Sequence, residues 1–203
     1  MPRPSGQALA DRPHTAPLPA QGEWTYEDYL RLPNDGWRYE VLKGTLHMTP
    51  APGPLHQDAV LNLGVLAANH LKSRPSPAGK IYLAPFDVFL PEGLAAPVQP
   101  DFVYLCEERR DRVTARGLED APDLVAEVLS PSNWFDDRRT KFEIYAQAGV
   151  REYWIVDPQE RTVEVFVLES GTYSLLGKFA VGERVGSRVL PSFQPKVSEI
   201  FAS

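Results

Sequence analysis

Asp101, Glu127 and Lys141 are the residues whose types and surroundings could do chemistry together. Asp101 follows Pro100 and opens the apolar run VQPDFVYLC, 98–106. Glu127 lies inside PDLVAEVLS, 122–130. Strand alternation puts Val125, Glu127 and Leu129 on one face and Leu124, Ala126 and Val128 on the other. Both faces are apolar except at Glu127, the pattern of a central strand covered on both sides. An ionised carboxylate there is costly without a partner. A salt bridge to a buried arginine, or a tip reaching water at the strand end, would answer that cost without chemistry. A neighbouring strand that brings in Asp101 offers another answer. Two adjacent carboxylates repel unless a proton or cation intervenes. A hard divalent ion such as Mg²⁺ suits so sparse an oxygen site, with water and substrate phosphate completing its shell.

The segment 137–148 reads as a helix ended by Gly149. At about 100° per residue, Lys141, Ile144, Tyr145 and Ala148 fall on one stripe. Lys141 therefore faces inward, just after the strand bearing Glu127. Its stem could cover apolar surface while the amine snorkels out. With two acids nearby, an amine aimed at them is the better explanation. Asp137 is the expected N-cap, with Arg138 and Arg139 solvated or phosphate-facing. Three further residues form a second tier. Glu40, in RYE, could add a carboxylate or be structural. His56, in PLHQ, could contact phosphate or water, or be a plain hydrogen-bonded histidine. Asp87 alternates with Leu83 and Phe89 and so points to an apolar face. Tyr153 and Trp154 are assigned to the core.

These residues need elements to position them. Residues 1–22, with Pro2, Pro4, Pro13, Pro17 and Pro19, read as a disordered tail, and 23–203 as a single domain. TYEDYLRLPNDG suggests a short helix capped by Thr25, with Asp28 three residues on. RYEVLKGTLHMTPAP reads as a hairpin turning at Gly44. A helix is expected from Pro54 to about Lys72, with Val60, Leu63, Ala67 and Leu71 on its inner stripe. Strands are expected at 80–90, 98–106, 122–130, 151–157, 162–169 and 172–180, and a tail helix at 195–201. The loop 107–121 interleaves Arg109, Arg110, Arg112 and Arg116 with acids, which reads as solvated rather than phosphate-binding. The order implies an α/β (α+β) fold, a mixed sheet flanked by helices. AEVLS, the helix and EYWIV have the length of a right-handed parallel crossover.

The chain has 203 residues, of which 43% are apolar and 24% charged, ordinary for a soluble globular protein. A lone cysteine, Cys106, excludes an internal disulfide and a cysteine-rich zinc cluster. It suits a reducing cytoplasm. No apolar run approaches the roughly 18 residues of a membrane span. The net charge of −6 weighs against a broad nucleic-acid surface but leaves room for a local basic groove.

Asp101, Glu127 and Lys141, in this order of strands and helix, resemble the PD-(D/E)XK nuclease superfamily. RYEVLKG, PGPLHQ, APFDVFL, QPD, APDLVAEVLSPS, DRRTKFEIYAQAGVREYWIVDP and VEVF, in that order, resemble its Uma-like restriction endonuclease family over about residues 24–195. The resemblance implies a restriction-endonuclease-like core and a Mg²⁺-dependent endonuclease, with Mn²⁺ as a substitute ion and nucleic acid, DNA foremost, as partner. It puts Asp101 at the PD aspartate and Glu127 at the (D/E) position, both as metal ligands. One departure stands out: Leu129 occupies the lysine position, and Lys141 is the natural replacement. A catalytically inactive nuclease fold, acting as a nucleic-acid-binding or scaffold module, is the alternative. A metal-dependent hydrolase of another phosphate ester is a third reading. No membrane association is expected, and a homodimer would follow the commonest symmetry.

Overall fold

A computed structural model of the chain describes residues 17–33, 35–76, 78–91, 94–95, 97–130 and 136–202, without the side chains of 136 and 137. Most of the expected tail and the cap expected at Asp137 lie outside the described residues.

The first helix, α1 (Tyr26–Tyr29), starts with a capping box in which Thr25 and Asp28 each accept the other's backbone N–H. The hairpin follows, β1 (Arg38–Leu42) and β2 (Thr45–Thr49). Its two-residue turn places Lys43 at φ 49° and Gly44 at φ 73°, as a primed turn requires. Gly44 serves a second purpose. The N–H groups of Gly22 and Trp24 both donate to its carbonyl, at 2.8 and 2.9 Å. A Cβ on Gly44 would lie 2.4 Å from the carbonyl oxygen of Gly22, so no other residue lets this strap sit down.

The long helix α2 (Pro54–Lys72) opens on proline, whose missing N–H costs nothing in the first turn. Its inner stripe, Ala59, Val60, Leu63 and Ala67, is buried. The chain continues through β3 (Lys80–Leu83), β4 (Phe102–Leu105), the small hairpin β5 (Val113–Thr114) and β6 (Gly117–Leu118), and β7 (Leu124–Val128). Next come α3 (Lys141–Ala148), β8 (Glu152–Asp157), β9 (Thr162–Glu169), β10 (Thr172–Ala180) and α4 (Val197–Ile200). Six strands form the central sheet in the order β10-β9-β8-β7-β4-β3. Only the β7–β8 pair is parallel, with α3 as its crossover, so the sheet is mixed as expected.

Each face of the sheet carries its own apolar layer. One unites α2 and α4 with Phe102, Tyr104 and Trp154. The other unites Ile144 and Tyr145 of α3 with Val103, Val125, Tyr153 and the segment around Val88. The central strand β7 is buried along its whole length, which explains its apolar character on both faces.

Three elements depart from expectation. The strand expected at 80–90 stops at Leu83, where Pro85 has no N–H for a ladder. Val88 instead exchanges hydrogen bonds with Val98, at 2.9 and 3.0 Å, and Phe89 donates to Leu118. The strand expected at 98–106 shrinks to Phe102–Leu105, because Pro97 and Gln99 turn to the hairpin: Val41 N–H donates to Pro97 C=O at 3.2 Å. The helix expected at 137–148 begins with a π-type turn, Asp136–Thr140, and becomes regular at Lys141. The arginines of the loop 107–121 pair as the solvated reading expected, but the segment also folds into β5 and β6 and buries Leu118 in the core. Arg110 pairs with Glu107, Arg109 with Asp120 and Asp123, and Arg116 lies over the rings of Tyr26 and Phe89.

Candidate active site

The β4–β7 register pairs Phe102 with Ala126 and Val103 with Val125. Continued by one step, it sets Asp101 across from Glu127 on the same face. Just past the ladder, the Val128 N–H donates to Asp101 Oδ2 at 2.9 Å. His56, the third residue of α2, brings Nε2 to 3.0 Å from the same oxygen. Arg38 of β1 donates from Nη1 to Asp101 Oδ1 at 2.8 Å. The inward face of α3 supplies Lys141 and Tyr145. Lys141 Nζ lies 3.1 Å from Glu127 Oε1 and 3.1 Å from Glu40 Oε2. The Tyr145 hydroxyl donates to Glu127 Oε1 at 2.6 Å. Glu40 also accepts the Gln99 N–H at 2.7 Å.

Asp101, Glu127, Lys141, Glu40 and His56 thus form one buried assembly. Asp87 stands outside it, half-buried, with its carboxylate accepting from Gln99 Nε2 at 2.7 Å. Two polar atoms of the assembly are buried without a hydrogen-bond partner, Glu127 Oε2 and His56 Nδ1.

Burial dominates the electrostatics. Glu127 is 0% exposed. Burial pushes its carboxyl up to about 7, with Lys141 opposing and the charges of Asp101 and Glu40 adding to the rise. Burial would also raise Asp101, but the His56 hydrogen bond and the Arg38 charge hold it well below the usual carboxylate range. Glu40 is likewise held down against burial, by Lys141, Arg38 and the Gln99 N–H. Burial works against the charge on Arg38, yet Glu40, Asp101 and Glu127 keep it firmly protonated. Burial and Glu127 raise Tyr145 well above an ordinary phenol, which keeps it a donor.

Residues 26–198 match the family model described as "Uma2: Putative restriction endonuclease". The chain belongs to the Uma2 family. The Uma2 chain also superposes on a crystal structure from Anabaena variabilis ATCC 29413, described as a putative nuclease belonging to DUF820. That likeness has a TM-score of 0.72 at 19% identity, over 88% of this chain and 97% of the other, and it concerns the fold. No curated protein matches the chain. Among the described residues, no helix is long and apolar enough to cross a membrane.

The donor set of this Uma2 chain suits a hard cation. Its acids offer only oxygens, and the orphaned Glu127 Oε2 lacks a positive partner. Among the described residues, no three His, Cys, Asp or Glu side chains converge on one point. The protein would therefore supply Asp101 and Glu127, and water and phosphate the remaining ligands, the usual arrangement for Mg²⁺.

A cleft of about 560 Å³ opens over one side of the assembly. Arg38, His56 and Asp101 line it, together with Trp37, Gln57 and Ser130. Glu40, Glu127 and Lys141 are not among its lining residues and sit buried behind Asp101.

Arg38, Gln99 and Tyr145 complete the assembly but are not singled out by sequence reasoning. Alternation places Arg38 on the same strand face as Glu40, and Tyr145 lies one turn beyond Lys141. Those two spacings were the available signal. The most conspicuous Pro-Asp pair near Glu127, Pro122–Asp123, serves elsewhere. Asp123 accepts from Cys106 N–H at 2.8 Å, Arg109 at 3.2 Å and Arg151 at 3.1 Å. It ties the far end of β7 to its neighbours. Buried Glu152 is similarly committed, to the Trp154 indole and the backbone of Arg188 and Val189.

Proposed function

We propose that this Uma2 chain is a metal-dependent endonuclease that hydrolyses nucleic-acid phosphodiester bonds, DNA in preference to RNA, with Mg²⁺ or Mn²⁺ held by Asp101 and Glu127. The observation that carries this reading is the Glu127 carboxylate: one oxygen is fixed by Lys141 and Tyr145, and the other is buried with no donor. A buried acceptor without a partner is costly, and a cation is the partner it lacks. When bound, a divalent ion would polarise the phosphate and acidify a water.

The chain's own residues do the positioning. Tyr145 and Lys141 hold Glu127 Oε1 and so aim Oε2. The Val128 N–H, His56 and Arg38 orient Asp101. Arg38 presents a guanidinium at the cleft, where it can meet a phosphate oxygen. Lys141 brings a cation to the acids behind the cleft, where it offsets their charge and fixes Glu127. It does so from α3, while Leu129 is buried among the core residues. A cytoplasmic location and a two-fold homodimer belong to the same proposal.

One observation favours a catalytically inactive, nucleic-acid-binding or scaffold protein instead. Both oxygens of Asp101 already accept hydrogen bonds, and Arg38 and Lys141 balance much of the acidic charge without a metal. The deciding experiment incubates purified protein with single- and double-stranded DNA and RNA, with Mg²⁺, Mn²⁺ or a chelator. Cleavage that needs the metal and is lost in Glu127→Gln and Lys141→Ala supports the enzyme. Absence of cleavage on every substrate favours the inactive fold.

A further inference from the structure

We propose that the cleft beside Asp101 binds one unpaired nucleobase, stacked on Trp37, next to the bond that is cut. This inference rests on the nuclease reading and narrows its substrate to strands unpaired at the point of attack.

Trp37 is 47% exposed although it lines the cleft. The other described aromatics at the cleft are occupied or buried: Tyr29 stacks on Tyr26, and Tyr39 is 8% exposed with its hydroxyl donating to Asp35. Trp37 makes no such ring contact among the described residues. Its backbone is nevertheless fixed. Its backbone N–H donates to Asp35 Oδ1 at 3.2 Å, and β1 begins at the next residue. That next residue is Arg38, which bonds Asp101, and all three line the same cleft. A large, flat aromatic face left open on a fixed backbone is the platform on which single-stranded nucleic acids stack.

Size and charge agree. A volume of about 560 Å³ is that of a site for one small ligand. It suits a base with its sugar, and a paired base cannot offer its flat faces to it unless it is extruded. Leu30, 62% exposed, extends the apolar wall. The exposed amide of Gln57, adjacent to His56, can read a base edge. Among the described lining residues Asp101 is the only carboxylate, and Arg38 pairs with it. Arg38 thus gives a polyanion a local cation at this cleft, despite the chain's net charge of −6 and the Asp35 carboxylate bonded to Trp37 and Tyr39.

The test uses the full chain as Glu127→Gln, which binds without cutting, and wild-type protein in chelator as a second background. The probes are short DNA and RNA oligonucleotides carrying 2-aminopurine, single-stranded and in duplex. Single strands are expected to bind with quenching of the 2-aminopurine, and fully paired duplex to bind at least tenfold more weakly. Trp37→Ala should weaken single-strand binding by roughly tenfold, and Trp37→Phe should restore most of it. Equal binding of duplex and single strand, untouched by Trp37→Ala, would overturn the inference. So would a dimer, seen by sedimentation, that Trp37→Ala dissolves, because the ring would then serve a second copy. The two readings fail separately. Metal-dependent cutting of paired duplex at an unchanged rate in Trp37→Ala sinks the base site and leaves the nuclease. Stacking without cleavage of any substrate leaves the base site and sinks the nuclease.

Discussion

Lys141 Nζ and Glu127 Oε1 lie 3.1 Å apart, both buried, across a separation of 14 residues. The same ammonium reaches Glu40. One cation therefore holds two acids that would otherwise repel in a dry interior.

Lys141→Met leaves those acids without their shared cation. Removing one partner of a buried pair costs about 3–5 kcal/mol. Urea unfolding should show a loss of that size near neutral pH, part of it regained under mildly acidic conditions as Glu127 protonates. Cleavage should fall on the order of 10²-fold. A variant as stable as wild type would show that the pair holds nothing together.

The Glu127 carboxyl rises from an ordinary 4.5 to about 7 on folding. A raised pKa means the folded state binds the proton more tightly. The contribution of this group is fully present below 4.5 and is lost as pH rises through about 7. Asp101 and Glu40 are depressed, so theirs is present at higher pH and lost on acidification below the usual carboxylate range. Between those ranges the metal-free protein should lose stability as pH rises, and Glu127→Gln should flatten the slope. Thermal melts across pH in chelator decide the matter.

Mg²⁺ should reverse that slope. Binding to the ionised carboxylates favours the folded state by about 2.7 kcal/mol at a hundred times the dissociation constant. The midpoint of a Mg²⁺ titration should move to lower concentration as pH rises, since a proton must leave first. Isothermal titration in two buffers of different ionisation heat would detect the released proton. Glu127→Gln should show neither effect.

Tyr145→Phe removes only a hydroxyl. Its hydrogen bond to a buried carboxylate is worth about 1.5–3 kcal/mol, and stability should fall within that range. The freed carboxylate should lower kcat with little change in KM. An equal loss in both would mean that Tyr145 serves substrate binding instead.

Asp123→Ala provides the contrast to Asp101→Ala. Both remove buried, arginine-paired acids and should destabilise by about 3 kcal/mol. Only Asp101→Ala should abolish cleavage per folded molecule, measured at a temperature where both variants are folded.

Much of this architecture is legible in the residues. The stripe of α2, the full extents of β9 and β10, and the inward turn of Lys141 follow from apolar periodicity, because amphipathic spacing is a local property. Glu127 betrays itself as a charge amid apolar neighbours. What escapes is non-local. The Arg38–Asp101 bond spans 63 residues and depends on where the hairpin docks. The stop of β3 at Leu83 hinges on Pro85. Asp87, alternating correctly for a buried face, is drawn aside because its segment joins Val98 and Leu118 rather than the main sheet. Tyr145 reads as an ordinary core aromatic until its hydroxyl is seen against Glu127.

The β1–β2 hairpin forms a sheet of its own and joins the rest through few backbone links, among them Val41 to Pro97 and Lys43 to Leu94. Yet it carries Arg38 and Glu40, with Trp37 at its foot. A small unit held this way frays more readily than the six-stranded sheet, in the manner of a separate foldon. Amide exchange should be quickest there. On warming, the molecule should lose Arg38 and Glu40 from the site before the central sheet releases Asp101 and Glu127, so its useful temperature range would be narrower than the melting of the whole suggests.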